Sequence, residues 1–249
     1  QRRRAGDGRG APGRLMDELV HREQPSPNWD ARDERISMVV LHYTDMPSVE
    51  ASLARLCDPA AKVSAHYVIT EEGEVVRLVD ETNRAWHAGT SYWRGKSNVN
   101  GCSIGIELQN PGHTCGYRAF PDSQIEALVP LLHRIVKDYD IPRANIVGHS
   151  DVSPQRKLDP GELFPWERLA EYRLALPRPT KLELGDPFDN DGAFYLALER
   201  FGYDVSDGKK AVEAFQRRWR PEKIDAEIDG QIRAILFRLL LDRDQGRTR

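Results

Sequence analysis

The sequence is short of cysteine, has no long apolar run and carries no excess of either charge sign. Its three cysteines, Cys57, Cys102 and Cys115, show no CxxC spacing and cannot all pair, so neither a zinc ribbon nor a disulfide framework is indicated. A single Cys102–Cys115 bridge is left open. No apolar stretch reaches the roughly 18 residues that a membrane-crossing helix needs, so no membrane span is expected. The 36 basic and 39 acidic residues give a net charge of −3, which speaks against nucleic acid or an anionic membrane as partner. The N-terminus has no apolar leader, which points to the cytoplasm. Residues 1–15 are nevertheless Arg- and Gly-rich and unlike the rest of the chain, and Met16 offers a natural start. A leader already removed would place the protein in the periplasm instead.

What is present divides the chain into four parts. Residues 1–35 lack sustained periodicity and read as a disordered arm that becomes an ordered lead-in near Pro25–Asn28. Over 36–176, strands alternate with helices, which implies one α/β layer domain. Ser37–Thr44 is a buried strand whose alternation puts Met38, Val40, His42 and Thr44 on one face. Val49–Leu56 has helical spacing, and 64–70 with 75–80 form a hairpin. In Ser103–Gln109, Ile104, Ile106 and Leu108 share one face and Glu107 points to the other. Asp122–Tyr139 is an amphipathic helix, and a short helix comes next near Pro165. Residues 177–188, with three prolines, read as a linker, and 189–249 as a small unit of three helices.

The chemistry concentrates in Asn145–Gly161, a short strand ending at Gly148 and a loop bounded by Pro154 and Pro160. His149 therefore stands at the C-terminal end of a strand, where open α/β sheets place ligands. The prolines predict a non-helical loop that folds Lys157 and Asp159 back over His149. A His and an Asp ten residues apart suit two ligands of one zinc, and His42, at another strand's end, suits a third. A zinc held by three ligands keeps an open position for hydrolysis of an amide. Such a site also needs a general base and a cation near the developing oxyanion, roles that Glu107 and Lys157 fit. His66 and His87, the latter beside Trp86, stand in contexts suited to lining a cleft. Gly148–Val152 is not a nucleophile elbow, because Ser150 lacks the flanking Gly where Val152 stands.

These residues carry a family likeness. Leu41–Thr44, Ser64–Tyr67, Arg84–Gly89, Ser103–Leu108, Gly148–Asp151 and Lys157–Gly161 together resemble the zinc-dependent N-acetylmuramoyl-L-alanine amidase type 2 family, whose fold peptidoglycan recognition proteins share. The resemblance covers about residues 36–170. It implies that His42, His149 and Asp159 bind Zn²⁺, that Glu107 is the catalytic base, and that Lys157 steadies the tetrahedral intermediate. It also implies that Arg84 and Asn100 lie near the substrate; His66 and Trp86 are further substrate-contact candidates from their strand and loop contexts. The fold expected is α/β, a mixed central β-sheet flanked by helices plus a small C-terminal three-helix domain. The tail from Ala211 to Pro221, together with Ile228–Gly230, is similar to the type 1 peptidoglycan-binding domain. The implied partners are peptidoglycan fragments, above all 1,6-anhydro-muropeptides, or the polymer. A non-catalytic peptidoglycan receptor on the same fold is the alternative.

Overall fold

The computed structural model describes residues 18–182, 188 and 190–246. Its centre is a mixed six-stranded sheet of β1 (Arg22–Glu23), β3 (Met38–Tyr43), β4 (Tyr67–Ile69), β5 (Val75–Arg77), β7 (Ser103–Leu108) and β8 (Ile146–Gly148), in the order β1-β5-β4-β7-β3-β8. All neighbours are parallel except the β4–β5 hairpin. A two-stranded antiparallel ribbon pairs β2 (Trp29–Ala31) with β6 (Asn83–Ala85). The interior strands β4, β7 and β3 are largely apolar because both of their faces are covered.

The two faces bury different partners. Val39, Leu41, Ile104 and Ile106 meet the stripe Ile125, Leu128, Leu131, Leu132 and Ile135 of the long helix α4 (Asp122–Tyr139). On the other face Met38, Val40 and Val147 share one continuous core with Trp93, Val152, Phe194, Phe201, Phe215 and Trp219. The last four come from α7 (Asp191–Phe201) and α8 (Gly208–Trp219), and α9 (Gly230–Asp244) closes the same core with Ile232, Ile235 and Leu236. Further helices are α1 (Val49–Cys57), which packs on the β4–β5 side, and the short α2 (Val99–Cys102), α3 (Gly112–Cys115), α5 (His149–Val152) and α6 (Trp166–Glu171).

Three expectations change here. Order begins earlier than composition suggests, because His21, Gln24 and Ser26 donate their N–H groups to Val75, Arg77 and Leu78 along the sheet edge. Residues 1–17 lie outside the described residues. The segment after Gly148 is not wholly non-helical: His149–Val152 makes one helical turn, closed by Ser153 N–H to His149 O at 2.9 Å. The reason is local. Pro154 restricts only the residue before it, and Ser153 takes the non-helical conformation while the four residues ahead of it are free to turn. The three cysteines are free, so the bridge left open between Cys102 and Cys115 does not form.

Candidate active site

Strand register assembles the site. Leu41 pairs with Gly148 and His42 pairs with Glu107, so the C-terminal ends of three adjacent parallel strands deliver Glu107, His42 and His149 side by side. The returning loop is tied down by Ser150 N–H donating to Asp159 O at 2.8 Å. Asp159 Oδ2 thereby comes to 3.0 Å from both His42 Nδ1 and His149 Nδ1, which are 2.9 Å from each other. This trio is the metal-type cluster found among the described residues. It forms one wall of a cavity of about 340 Å³, which Glu107, Lys157, Trp86 and His87 also line.

The donor set fits a zinc ion. His149 Nε2 lies 3.0 Å from Ala88 O, and a carbonyl only accepts, so Nε2 carries a proton and Nδ1 is the nitrogen left to bind a cation. That nitrogen faces a carboxylate oxygen and the Nδ1 of a second ring, His42. Burial, and then His149, pull His42 down to about 4, so this ring is neutral at neutral pH. Burial pushes the Asp159 carboxyl up, but the two imidazoles that face it outweigh burial and leave it below the usual carboxylate range, ionised. Lone pairs and one negative charge thus converge on a point that a cation satisfies. Two imidazole nitrogens and a carboxylate oxygen are the ligand types zinc takes, with bonds of about 2.0–2.1 Å and ligands about 3.3 Å apart.

Glu107 has the opposite character. Its Oε2 is buried with no hydrogen-bond partner. Burial first, then the Asp159 charge, push its carboxyl well above the ordinary range, against the pull of Lys157. A carboxylate with one oxygen buried and unpartnered beside such a cluster is poised to take a proton.

The remaining candidates are placed differently. Trp86 lines the cavity and its indole N–H donates to Asp30 at 2.7 Å. His66 does not line it: the ring is fully buried, Nδ1 accepts the Gly105 N–H, and Nε2 sits between Asn83 O and the Arg32 guanidinium. Arg84 pairs with Asp30 across the β2–β6 ribbon and does not line the cavity. Asn100 does not line it either, and its Oδ1 accepts the N–H groups of His87 and Ala88 at 3.1 and 2.7 Å. Arg55, His113 and Arg156 line the cavity, although sequence reasoning gives them no place there. Arg156 adjoins Lys157 in the same loop, which is the available signal; Arg55 on a surface helix carries none.

Comparison with known proteins agrees with this geometry. The family model described as N-acetylmuramoyl-L-alanine amidase matches residues 32–162. This chain belongs to that family. The amidase is 37% identical over 232 residues to N-acetylmuramoyl-L-alanine amidase AmiD of Escherichia coli K12, covering 83% of each chain. It is 36% identical over 166 residues to 1,6-anhydro-N-acetylmuramyl-L-alanine amidase AmpD of Enterobacter cloacae, covering 59% of this chain and 87% of that one. The likeness to AmiD therefore extends beyond the part shared with AmpD. Among solved structures, AmiD from E. coli in complex with anhydro-N-acetylmuramic acid-L-Ala-D-γ-Glu-L-Lys superposes with a TM-score of 0.76 at 35% identity, covering 85% of this chain and 91% of that one. AmpDh3 from Pseudomonas aeruginosa, bound to anhydromuramic pentapeptide, gives 0.74 at 30% identity, covering 85% and 93%.

Two modest effects are expected of the amidase. Glu107 has its folded pKa raised above the unfolded value, so its contribution to stability is fully present below about pH 4.3 and is lost as pH rises through the folded value. Metal-free Glu107→Gln therefore melts higher than the parent at neutral pH, by about 2–4 °C for each kcal/mol relieved, and no higher near pH 4. Equal melting temperatures at both pH values would contradict the buried carboxylate. Asn100→Ala leaves two backbone N–H groups without their acceptor and lowers stability by about 1–3 kcal/mol in denaturant titration, whereas Asn100→Asp retains the acceptor and loses less.

Proposed function

We propose that this chain is a zinc-dependent N-acetylmuramoyl-L-alanine amidase. It hydrolyses the amide between the lactyl carbonyl of N-acetylmuramic acid, in its 1,6-anhydro form, and the L-Ala of the stem peptide, in peptidoglycan recycling or turnover. The observation that carries this reading is the unpartnered Glu107 carboxylate oxygen beside three convergent metal-type donors in one cavity. The muramyl peptides bound by AmiD and AmpDh3 supply the substrate class.

His42, His149 and Asp159 hold the zinc. When bound, the ion supplies Lewis acidity, which polarises a carbonyl and makes water more acidic. Glu107 takes the proton of the attacking water and delivers it to the nitrogen of the departing L-Ala, so that the amine leaves neutral. Lys157, on the cavity wall, sets its ammonium against the negative charge that develops on the carbonyl oxygen. Trp86 offers an apolar wall to the muramyl peptide. A pure receptor has no use for a carboxylate with a buried, unpartnered oxygen, which disfavours the non-catalytic alternative.

The C-terminal helices are read as a peptidoglycan-binding-type unit that serves here as scaffold. Phe215 lies in the shared core, and Gln216 uses its amide to staple the turn at Asp225–Glu227. Neither side chain is free to meet a glycan. The reading is tested by mass spectrometry of products from a 1,6-anhydro-muropeptide and from intact sacculi, each with and without a chelator. Chelator-sensitive release of stem peptide from the soluble substrate is expected, with sacculi cleaved poorly. No release from either would refute an amidase of this class, and preferential release from sacculi would move its partner to the polymer.

A further inference from the structure

His87 stands beside His42 in the cavity wall, largely buried, and takes no part in the proposed chemistry. Its ring nitrogens are both engaged. Nδ1 lies 3.1 Å from His42 Nε2, and Nε2 lies 3.2 Å from Ser103 Oγ. Ser103 in turn has its Oγ 2.5 Å from Val99 O.

The protons along this chain have one consistent arrangement. Val99 O only accepts, so the single hydroxyl proton of Ser103 points to it, and Ser103 Oγ is an acceptor toward His87. His87 Nε2 therefore carries the ring proton, and its Nδ1 is left to accept from His42 Nε2–H. With its Nε2 protonated, neutral His42 has its remaining lone pair on Nδ1, the atom that faces His149 and Asp159. We propose that His87 is a positioning residue that fixes the tautomer and ring orientation of the metal ligand His42, with Ser103 fixing His87. This rests on the assignment of His42 as a metal ligand.

Two further observations support a built arrangement. Gly105 leaves room for the His87 ring, since a Cβ there would run into His87 Cγ. The next residue treats the second imidazole in the same way, because Ala88 O accepts the His149 Nε2–H, and Asn100 clamps the backbone of both His87 and Ala88. Two consecutive residues thus orient both imidazoles. Outer partners of this kind are worth about 10–100-fold in metal affinity. With both nitrogens occupied, His87 presents no polar atom to a substrate.

The test measures zinc affinity by competition with a chromophoric chelator, and the visible absorption of the cobalt-substituted protein, for parent, His87→Leu, His87→Gln and Ser103→Ala. His87→Leu removes the acceptor for His42 and should weaken zinc binding about 10–100-fold and shift the cobalt bands. His87→Gln, whose Oε1 can accept the His42 proton, should recover most of the loss. Ser103→Ala should give a smaller loss in the same direction. Parent-like affinity with an unchanged cobalt spectrum in folded His87→Leu overturns the proposal; if that variant does not fold, parent-like values for Ser103→Ala do so. Lost turnover at unchanged affinity would likewise overturn it and assign His87 to the substrate. A parent that binds no stoichiometric zinc would refute the ligand assignment and the proposal together.

Discussion

Glu107→Gln binds zinc as the parent does and turns over substrate about 10²–10⁴ times more slowly, the range typical for loss of a positioned general base. The substitution keeps the shape of the side chain and removes only its ability to take a proton. The register that sets Glu107 beside His42 is a backbone property and survives the change. Zinc content by elemental analysis and kcat on an anhydro-muropeptide separate the two roles. Retained turnover would remove Glu107 from the mechanism, and lost zinc would make it a ligand. In the metal-free protein burial raises the Glu107 carboxyl well above the usual range, and a cation bound beside it opposes that rise, so the acid limb of kcat should lie below the pH at which the metal-free carboxyl titrates. The limb is measured at saturating zinc.

A chain ending at Leu176 does not survive as a stable amidase. Met38, Val40, Trp93, Val147 and Val152 lie in one core with Phe194, Phe201, Phe215 and Trp219. Uncovering large apolar side chains costs about 1.5–3 kcal/mol each at full exposure. Even partial exposure of this group removes several kcal/mol, and the melting temperature falls by roughly 10 °C or more. The cut also reaches the metal site. Asp151, within the helical turn that begins at His149, accepts the Gly148 N–H at 2.8 Å and the Tyr203 hydroxyl at 2.5 Å, with Arg218 3.6 Å away. Arg218 itself stacks on Trp166 at 3.1 Å from the ring centroid. Removing Tyr203 and Arg218 loosens the turn that presents His149, so zinc affinity falls as well. Calorimetry and gel filtration of the truncated chain decide the matter. A monomer with the parent's melting temperature and zinc affinity would show that the helices merely sit on the surface.

The parts of this arrangement that are legible in the sequence are those written in side-chain periodicity. Alternation in Ser37–Thr44 and Ser103–Gln109 places His42 and Glu107 on the faces they occupy, and the apolar stripe of Asp122–Tyr139 marks a helix whose ends the structure matches. Gly148 and the two prolines mark the loop that returns Asp159 to His149. What is not legible is written in the backbone. The pairing of β1 with β5 is carried by main-chain groups of a segment whose composition resembles a disordered arm. Asn100 is expected at the substrate because of its motif and His66 because of its strand context, yet Asn100 Oδ1 and His66 Nδ1 accept backbone N–H groups and neither residue lines the cavity. Residue type alone does not distinguish a polar group facing a cavity from one facing a peptide. The proline-marked segment before Asp191 suggests a separable unit, because an apolar helix face does not reveal which surface it meets.

The central claim is that water is added across one amide. The direct test incubates the zinc-loaded protein with a 1,6-anhydro-muramyl tripeptide in H₂¹⁸O and analyses the products by tandem mass spectrometry. The account predicts one ¹⁸O in the lactyl carboxylate of 1,6-anhydro-N-acetylmuramic acid and an unlabelled peptide that begins with the free amine of L-Ala. Label in the peptide, cleavage at another bond, or intact substrate would contradict it.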